Sequence, residues 1–265
     1  MELTGKSVLL TGATGGLGRA IAEALAERGG VLVLSSRKPE ELAELADSLP
    51  GSGHRYEVAD LAEPGAAERL AAAAGAIDVL VANAGLSAAG HLDRFSDEEL
   101  TAALRVNLES PVRLARAVIP AMRARAEGHL VFVSSLQAKI ALPRSAVYSA
   151  TKFGLRGFAL SLREDLWGSG VGVSLVLPGF IRDAGMFAAS GVEAPAGLGT
   201  SAPAEVGGAV LEAIEKDRAE VAVAPLLQRA GVSIAHLQPR LAARVTRASA
   251  GKVADRVIEG RERKP

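Results

Sequence analysis

The stretch Val8-Leu9-Leu10-Thr11-Gly12-Ala13-Thr14-Gly15-Gly16-Leu17-Gly18 decides how this chain folds. A short apolar run ends in a glycine-rich turn, and an Ala/Leu/Ile helix follows at once, Ala20 to Leu25. A tight turn of this kind needs residues that tolerate positive φ, and it lets backbone approach a diphosphate closely. The helix N-terminus behind it offers free N–H donors and a favourable dipole to an anion. With a strand before and a helix after, Gly12, Thr14, Gly16, Leu17 and Gly18 are candidate nucleotide contacts. The spacing is Gly-x-x-x-Gly-x-Gly and no Gly-Lys-Ser/Thr follows, so an ATP- or GTP-hydrolysing loop loses support.

Outward from this turn the same rhythm repeats. Apolar runs at Val31 to Leu34, Val79 to Val81, Leu130 to Val133, Val173 to Leu177 and Val221 to Ala224 read as strands, with a weaker one at His54 to Val58. Most lack alternation, which suits parallel strands covered by helices on both faces. Helical stretches are expected at 16–28, 39–48, 63–74, 97–126 (broken near Pro111), 148–167 and 203–216. Right-handed crossovers then give an α/β, doubly wound, Rossmann-like sheet. At 265 residues, 49% hydrophobic and 23% charged, one large domain is the simplest reading. We place the dinucleotide-binding and catalytic domain at 1–224, with a substrate loop at about 182–203, and a helical extension at 225–265.

The end of the second strand bears on the cofactor. An acid there would hold the ribose hydroxyl of NAD, whereas an Arg suits the 2′-phosphate of NADP. This chain reads Ser35-Ser36-Arg37-Lys38, with two cations and no acid. Ser36, Arg37 and Lys38 are therefore candidate phosphate contacts, and NADP(H) is preferred over NAD(H).

A second cluster carries the chemistry. Tyr148 and Lys152 stand four apart at the start of an expected helix, on one face. Ser134 and Ser135 end the strand Leu130–Val133, at the carboxyl edge where such sheets bind ligands. Reducing a ketone leaves an alkoxide-like oxygen that needs a proton, and a tyrosine of ordinary pKa, about 10, is a poor partner near neutrality. A lysine ammonium at ~4 Å would favour the phenolate by about 4 kcal/mol at an effective dielectric near 20. That corresponds to about three pKa units. A serine hydroxyl can hydrogen-bond the substrate oxygen where charge develops.

Together these residues resemble the short-chain dehydrogenase/reductase family, from about residue 4 to residue 224. Thr11-Gly12-x-x-x-Gly16-x-Gly18 is similar to the family's cofactor turn, Ser135 precedes Tyr148 by 13 positions, and Tyr148-x-x-x-Lys152 matches its catalytic pair. The resemblance implies a single-domain, seven-stranded parallel sheet in which Ser135 polarises the carbonyl and Tyr148 is the general acid or base. It implies that Lys152 lowers the tyrosine pKa and binds the nicotinamide ribose, and that Asn107 supports a proton relay from the lysine. Asp60 would meet the adenine, Pro178-Gly179 would lie beside the nicotinamide, and Leu61, Asn83-Ala84-Gly85 after the fourth strand and Ile181 would also contact the cofactor. It further implies a homodimer or homotetramer. Two departures stand out: Ala82 replaces the first Asn of Asn-Asn-Ala-Gly, and Asp183 stands where many members carry a Thr that contacts the nicotinamide amide.

The remaining sequence narrows partners. The segment 182–200, with Met186, Phe187, Val192 and Leu198, is expected to form a largely apolar lid. Gln137, Ile140, Leu142 and Phe180 are expected to join it against a small, apolar carbonyl or alcohol. Lys+Arg and Asp+Glu both number 30, so net charge gives no reason to expect nucleic acid. With no cysteine and His54, His91, His129 and His236 scattered, no metal site is expected. Ser135 is not in a Gly-x-Ser-x-Gly elbow, which speaks against a serine hydrolase. No secretion signal or membrane-spanning run is read, so a cytoplasmic protein is expected. Arg240 to Pro265 carries eight Lys/Arg against three Asp/Glu, with Leu241, Val245, Ala248, Val253 and Val257 near helical spacing. Such a tail suits packing on its own domain or a second subunit, and alternatively peripheral contact with an anionic membrane. Two rivals stay open: a non-catalytic NADP(H)-binding regulatory or scaffold protein, and an enzyme that uses the cofactor for epimerisation or dehydration.

Overall fold

A computed structural model describes residues 1–191, 194, 197–238 and 240. The strands are β1 (Ser7–Thr11), β2 (Val31–Ser36), β3 (Arg55–Val58), β4 (Val79–Ala82), β5 (Gly128–Val133), β6 (Val171–Pro178) and β7 (Glu220–Val223). They form one parallel seven-stranded sheet in the order β3-β2-β1-β4-β5-β6-β7. The strand order therefore reverses between β1 and β4, the point at whose carboxyl edge such sheets bind ligands.

Helices cover both faces, which explains the unbroken apolar strands. Side chains alternate along each strand, so Leu9, Leu80, Leu130 and Phe132 enter one core with α3 (Ala66–Ala74), α5 (Ser110–Arg125) and α6 (Ala146–Asp165). Val8, Leu10, Val79, Val81 and Val131 enter the other, with α1 (Gly16–Glu27), α2 (Pro39–Ser48) and α8 (Pro203–Glu215). Phe132 meets Phe158 of α6 edge to face at 5.6 Å. Ala82 is buried in the first of these cores. An apolar residue at that position is thus explained by packing.

The long helix expected at 97–126 is interrupted, but not at Pro111. It runs as α4 (Asp97–Leu104), a π-helical turn at Arg105–Glu109, and then α5. Pro111 sits in the first turn of α5, where a missing N–H costs nothing. The irregular turn instead falls on Asn107, in keeping with the tendency of π-bulges to mark functional positions. A short helix α7 (Gly185–Ala189) lies within the 182–203 loop, and α9 (Leu226–Leu237) follows β7. Val192 of the expected lid, and Leu241, Val245, Ala248, Val253 and Val257 of the tail, lie outside the described residues. Among the described residues no helix is long and apolar enough to cross a membrane.

Candidate active site

The glycine turn is knitted to the end of β4. Thr11 Oγ1 accepts the N–H groups of Asn83 and Ala84, each at 3.1 Å, and Asn83 Nδ2 donates to Thr11 O at 3.0 Å and Gly12 O at 3.2 Å. Gly12 has φ +66°, and a Cβ there would lie 2.8 Å from Ala84 Cα. At Gly18 a side chain would collide with the Gly12 carbonyl. The N-cap of α1, Gly15, gives no side-chain cap, and the first turn holds no acid. First-turn N–H groups are thus left without a side-chain acceptor beside a cradle that only glycine permits, a donor set suited to a diphosphate. Thr14 and Leu17 flank this cradle. Thr11 was quoted in the motif, yet its bridging role to Asn83 is visible only once β1 and β4 are neighbours.

At the end of β2, Ser36 Oγ accepts the Lys38 N–H at 3.2 Å. The Lys38 ammonium is paired with Glu41 at 2.5 Å, and Glu41 also faces Arg19 at 3.5 Å. Arg37 is exposed and has no ion pair among the described residues, so it is the cation left for a 2′-phosphate. Asp60 Oδ1 caps Ala62 N–H at 2.9 Å, and Leu61 is buried with its carbonyl taken by Ser110 Oγ at 3.0 Å. For Leu61, as for Ile181, whose side chain is buried in the core, only backbone is left for a cofactor.

The catalytic candidates converge above β4 and β5. Ser135 caps a 3₁₀ turn at Leu136–Ala138 by accepting the Gln137 N–H at 3.1 Å; its hydroxyl donates to Pro178 O at 3.5 Å and faces the Tyr148 phenol. Lys152 is almost fully buried on α6, one turn beyond Tyr148. Its Nζ donates to Val133 O at 3.3 Å and lies 5.6 Å from the Tyr148 ring centroid. Asn107 is fully buried; its Oδ1 accepts the Leu86 N–H at 2.7 Å and its Nδ2 donates to Leu86 O at 2.9 Å. The neighbouring Gly85 leaves open a position that a Cβ would fill at 3.4 Å from Asn107 Oδ1 and 3.9 Å from Lys152 Nζ.

Burial acts on the two titrating groups in opposite directions. It pushes the Tyr148 phenol up to about 12, against a smaller lowering from Ser135, because a phenolate is poorly solvated there. It pulls the Lys152 ammonium down to about 8. Desolvation is thus the larger influence on the Tyr148 phenol, and the Ser135 hydroxyl opposes it.

The loop beyond Pro178-Gly179 folds across the carboxyl edge of the sheet. Ala184 packs on Gly16, where a Cβ would come within 2.5 Å of Ala184 Cβ, and Gly185 lies against Leu17. The Met186 methyl approaches Gly85, and the rings of Phe180 and Phe187 pack at 4.7 Å. Asp183 has φ +64° and directs its carboxylate outward, with its side chain 75% exposed and 3.4 Å from Arg182. It takes the left-handed conformation that Asp tolerates better than most residues. Gln137 lies on the same 3₁₀ turn as the Ser135 cap, with Oε1 buried and unpartnered, and Leu142 is half-buried in the loop that follows.

A doubly wound sheet with a dinucleotide turn and a Ser/Tyr/Lys cluster at its carboxyl edge defines a nicotinamide-dependent oxidoreductase. The chain matches the family model for short chain dehydrogenase over residues 6–193, and it belongs to that family. It is 36% identical over 227 residues to the ketoacyl reductase HetN of a Nostoc species, covering 83% of this chain and 79% of that one. To the 3-oxoacyl acyl-carrier-protein reductase FabG of Escherichia coli it is 36% identical over 185 residues, covering 69% and 76%. Among solved structures, a Sphingobium yanoikuyae short-chain dehydrogenase in complex with NADPH superposes with a TM-score of 0.76 at 27% identity, over 82% of this chain and 87% of that one. A metagenomic short-chain oxidoreductase in complex with NADP gives 0.69 at 34% identity, over 85% and 99%.

Proposed function

We propose that this enzyme uses NADPH to reduce a ketone on a small, largely apolar substrate. The observation that carries this reading is the cluster of half-buried Ser135 and Tyr148 with the buried Lys152 at the carboxyl edge of the sheet. When bound, NADPH supplies the hydride. Ser135 would orient the substrate oxygen, and Tyr148, held as a neutral phenol by burial, would deliver the proton that the nascent alkoxide takes. Asn107 would keep Leu86 and Gly85 in place beside Lys152.

For NADPH over NADH, Arg37 is the supporting observation, together with the NADPH and NADP carried by the two structural neighbours. The names of HetN and FabG put β-ketoacyl thioesters first among substrates to try. Aromatic contact between Phe180 and Phe187, with Met186 beside them, supports an apolar wall.

A panel of ketones and β-ketoacyl thioesters, followed by loss of NADPH absorbance, tests this reading. Wild type is expected to turn over at least one of them, and Tyr148→Phe to lose about 100-fold or more in rate. Equal, slow NADPH loss in both proteins across the panel would favour a cofactor-binding protein without turnover.

A further inference from the structure

The loop after β6 leaves the sheet and returns to it at one point. Ile181 and Ser201 form an isolated parallel bridge. Ser201 N–H donates to Phe180 O at 2.9 Å and Arg182 N–H to Ser201 O at 3.0 Å. α7 on the outgoing side and Leu198 on the returning side both lie within the loop that this bridge closes. Beside it lies Gln228, a residue of α9 and outside the family-matched stretch of residues 6–193.

Gln228 is only 6% exposed, and its carboxamide bonds both limbs of the loop. Oε1 accepts the Phe180 N–H at 3.4 Å on the outgoing limb. Nε2 donates to Leu198 O at 3.1 Å and Gly199 O at 2.8 Å on the returning limb. The same oxygen occupies the space that a side chain on Gly179 would need, so the glycine after Pro178 is what lets the carboxamide in. A carboxamide suits this point because it carries an acceptor and two donors on one rigid plane.

We propose that Gln228 is a positioning residue for catalysis, through which α9 sets the pose of the substrate loop. Phe180 is fixed at its N–H and packs on Phe187, whose neighbour Met186 reaches Gly85 beside Lys152 and Asn107. Letting go of Phe180 therefore shifts the wall over the catalytic groups. The proposal rests on the reading of 182–203 as the substrate loop.

Two variants separate the limbs. Gln228→Met keeps the length and removes all three bonds. Gln228→Glu keeps the acceptor for Phe180 but sets a carboxylate against two carbonyl oxygens. With Gln228→Met, KM for the ketone is expected to rise about tenfold while kcat falls by less than about threefold. Amide hydrogen exchange in 180–191 and 197–201 is expected to quicken about tenfold or more, with the strands as protected as before. Gln228→Glu is expected to quicken exchange near Gly199 and Ser201 but to leave Phe180 protected. Unchanged KM and unchanged loop exchange in Gln228→Met would overturn the proposal. So would exchange that quickens equally across the sheet, since Gln228 would then be a general stabiliser. Should wild type reduce no carbonyl, the reading of the function fails, while the exchange data still decide whether Gln228 holds the loop.

Discussion

Asn107 holds Leu86 by both of its backbone groups, accepting the N–H at 2.7 Å and donating to the C=O at 2.9 Å. This pairing links the π-helical turn before α5 to the end of the Asn83-Ala84-Gly85 segment. A buried amide and carbonyl that lose their partners each carry a desolvation cost. Asn107→Leu is therefore expected to destabilise the fold by about 2 kcal/mol and to slow NADPH-dependent turnover by about tenfold. Thermal unfolding and NADPH consumption measure both effects, and a variant as stable and active as wild type would contradict the assignment.

Arg37 is expected to govern the choice between the two nicotinamide cofactors. Since Glu41 already holds Lys38, removing the Arg37 guanidinium leaves the 2′-phosphate with little else of opposite charge. Arg37→Ala is expected to weaken NADPH binding about tenfold or more and NADH binding by less than about twofold. Fluorescence titration with each cofactor distinguishes this from a general loss, in which both weaken alike.

Lys152 is expected to set the alkaline limit of reduction. Its ordinary value of 10.5 is pulled to about 8 by burial, so the ammonium is lost as pH rises through that value. Tyr148, at about 12, stays protonated through the same range. The pH profile of kcat/KM at saturating NADPH is expected to fall above about pH 8. A profile flat from about pH 7 to 10 would show that the lysine charge is not needed.

His129 is expected to contribute to acid stability, away from the site. Its ring bonds Ser174 Oγ at 2.8 Å, and burial lowers its pKa from 6.5 to about 4. Because the folded value lies below the unfolded one, the unfolded chain takes up the proton first as pH falls. Stability is complete above pH 6.5 and is lost progressively down to about 4, by at most about 3 kcal/mol. His129→Asn is expected to flatten the fall of Tm with pH across that window, and an unchanged slope would place the loss on other groups.

Much of this was legible in the chain itself, for identifiable reasons. Strands buried on both faces are written as unbroken apolar runs, so Val8 to Leu10 and Val79 to Val81 could be read directly. The glycine turn and the Tyr148/Lys152 pair are local, and local spacing survives folding. What could not be read depends on distant partners. The π-helical turn at Arg105–Glu109 has no local marker of its own, and it falls just before Pro111, near where a break is expected. The dominance of desolvation at Tyr148 depends on the elements packed around it. Gln228 follows two leucines in an amphipathic helix and reads as a surface residue until Phe180 and Gly199 are seen to meet it.

Hydride transfer to a carbonyl is the central claim, and isotope tracing tests it most directly. The ketone that wild type reduces best would be incubated with NADPH deuterated at the transferring position of the nicotinamide, and the alcohol analysed by mass and NMR. The account predicts one deuterium on the new carbinol carbon, formed at a rate that Tyr148→Phe cuts about 100-fold or more. NADPH consumed with no deuterium on the carbinol carbon, or labelled alcohol formed equally fast by Tyr148→Phe, would contradict it.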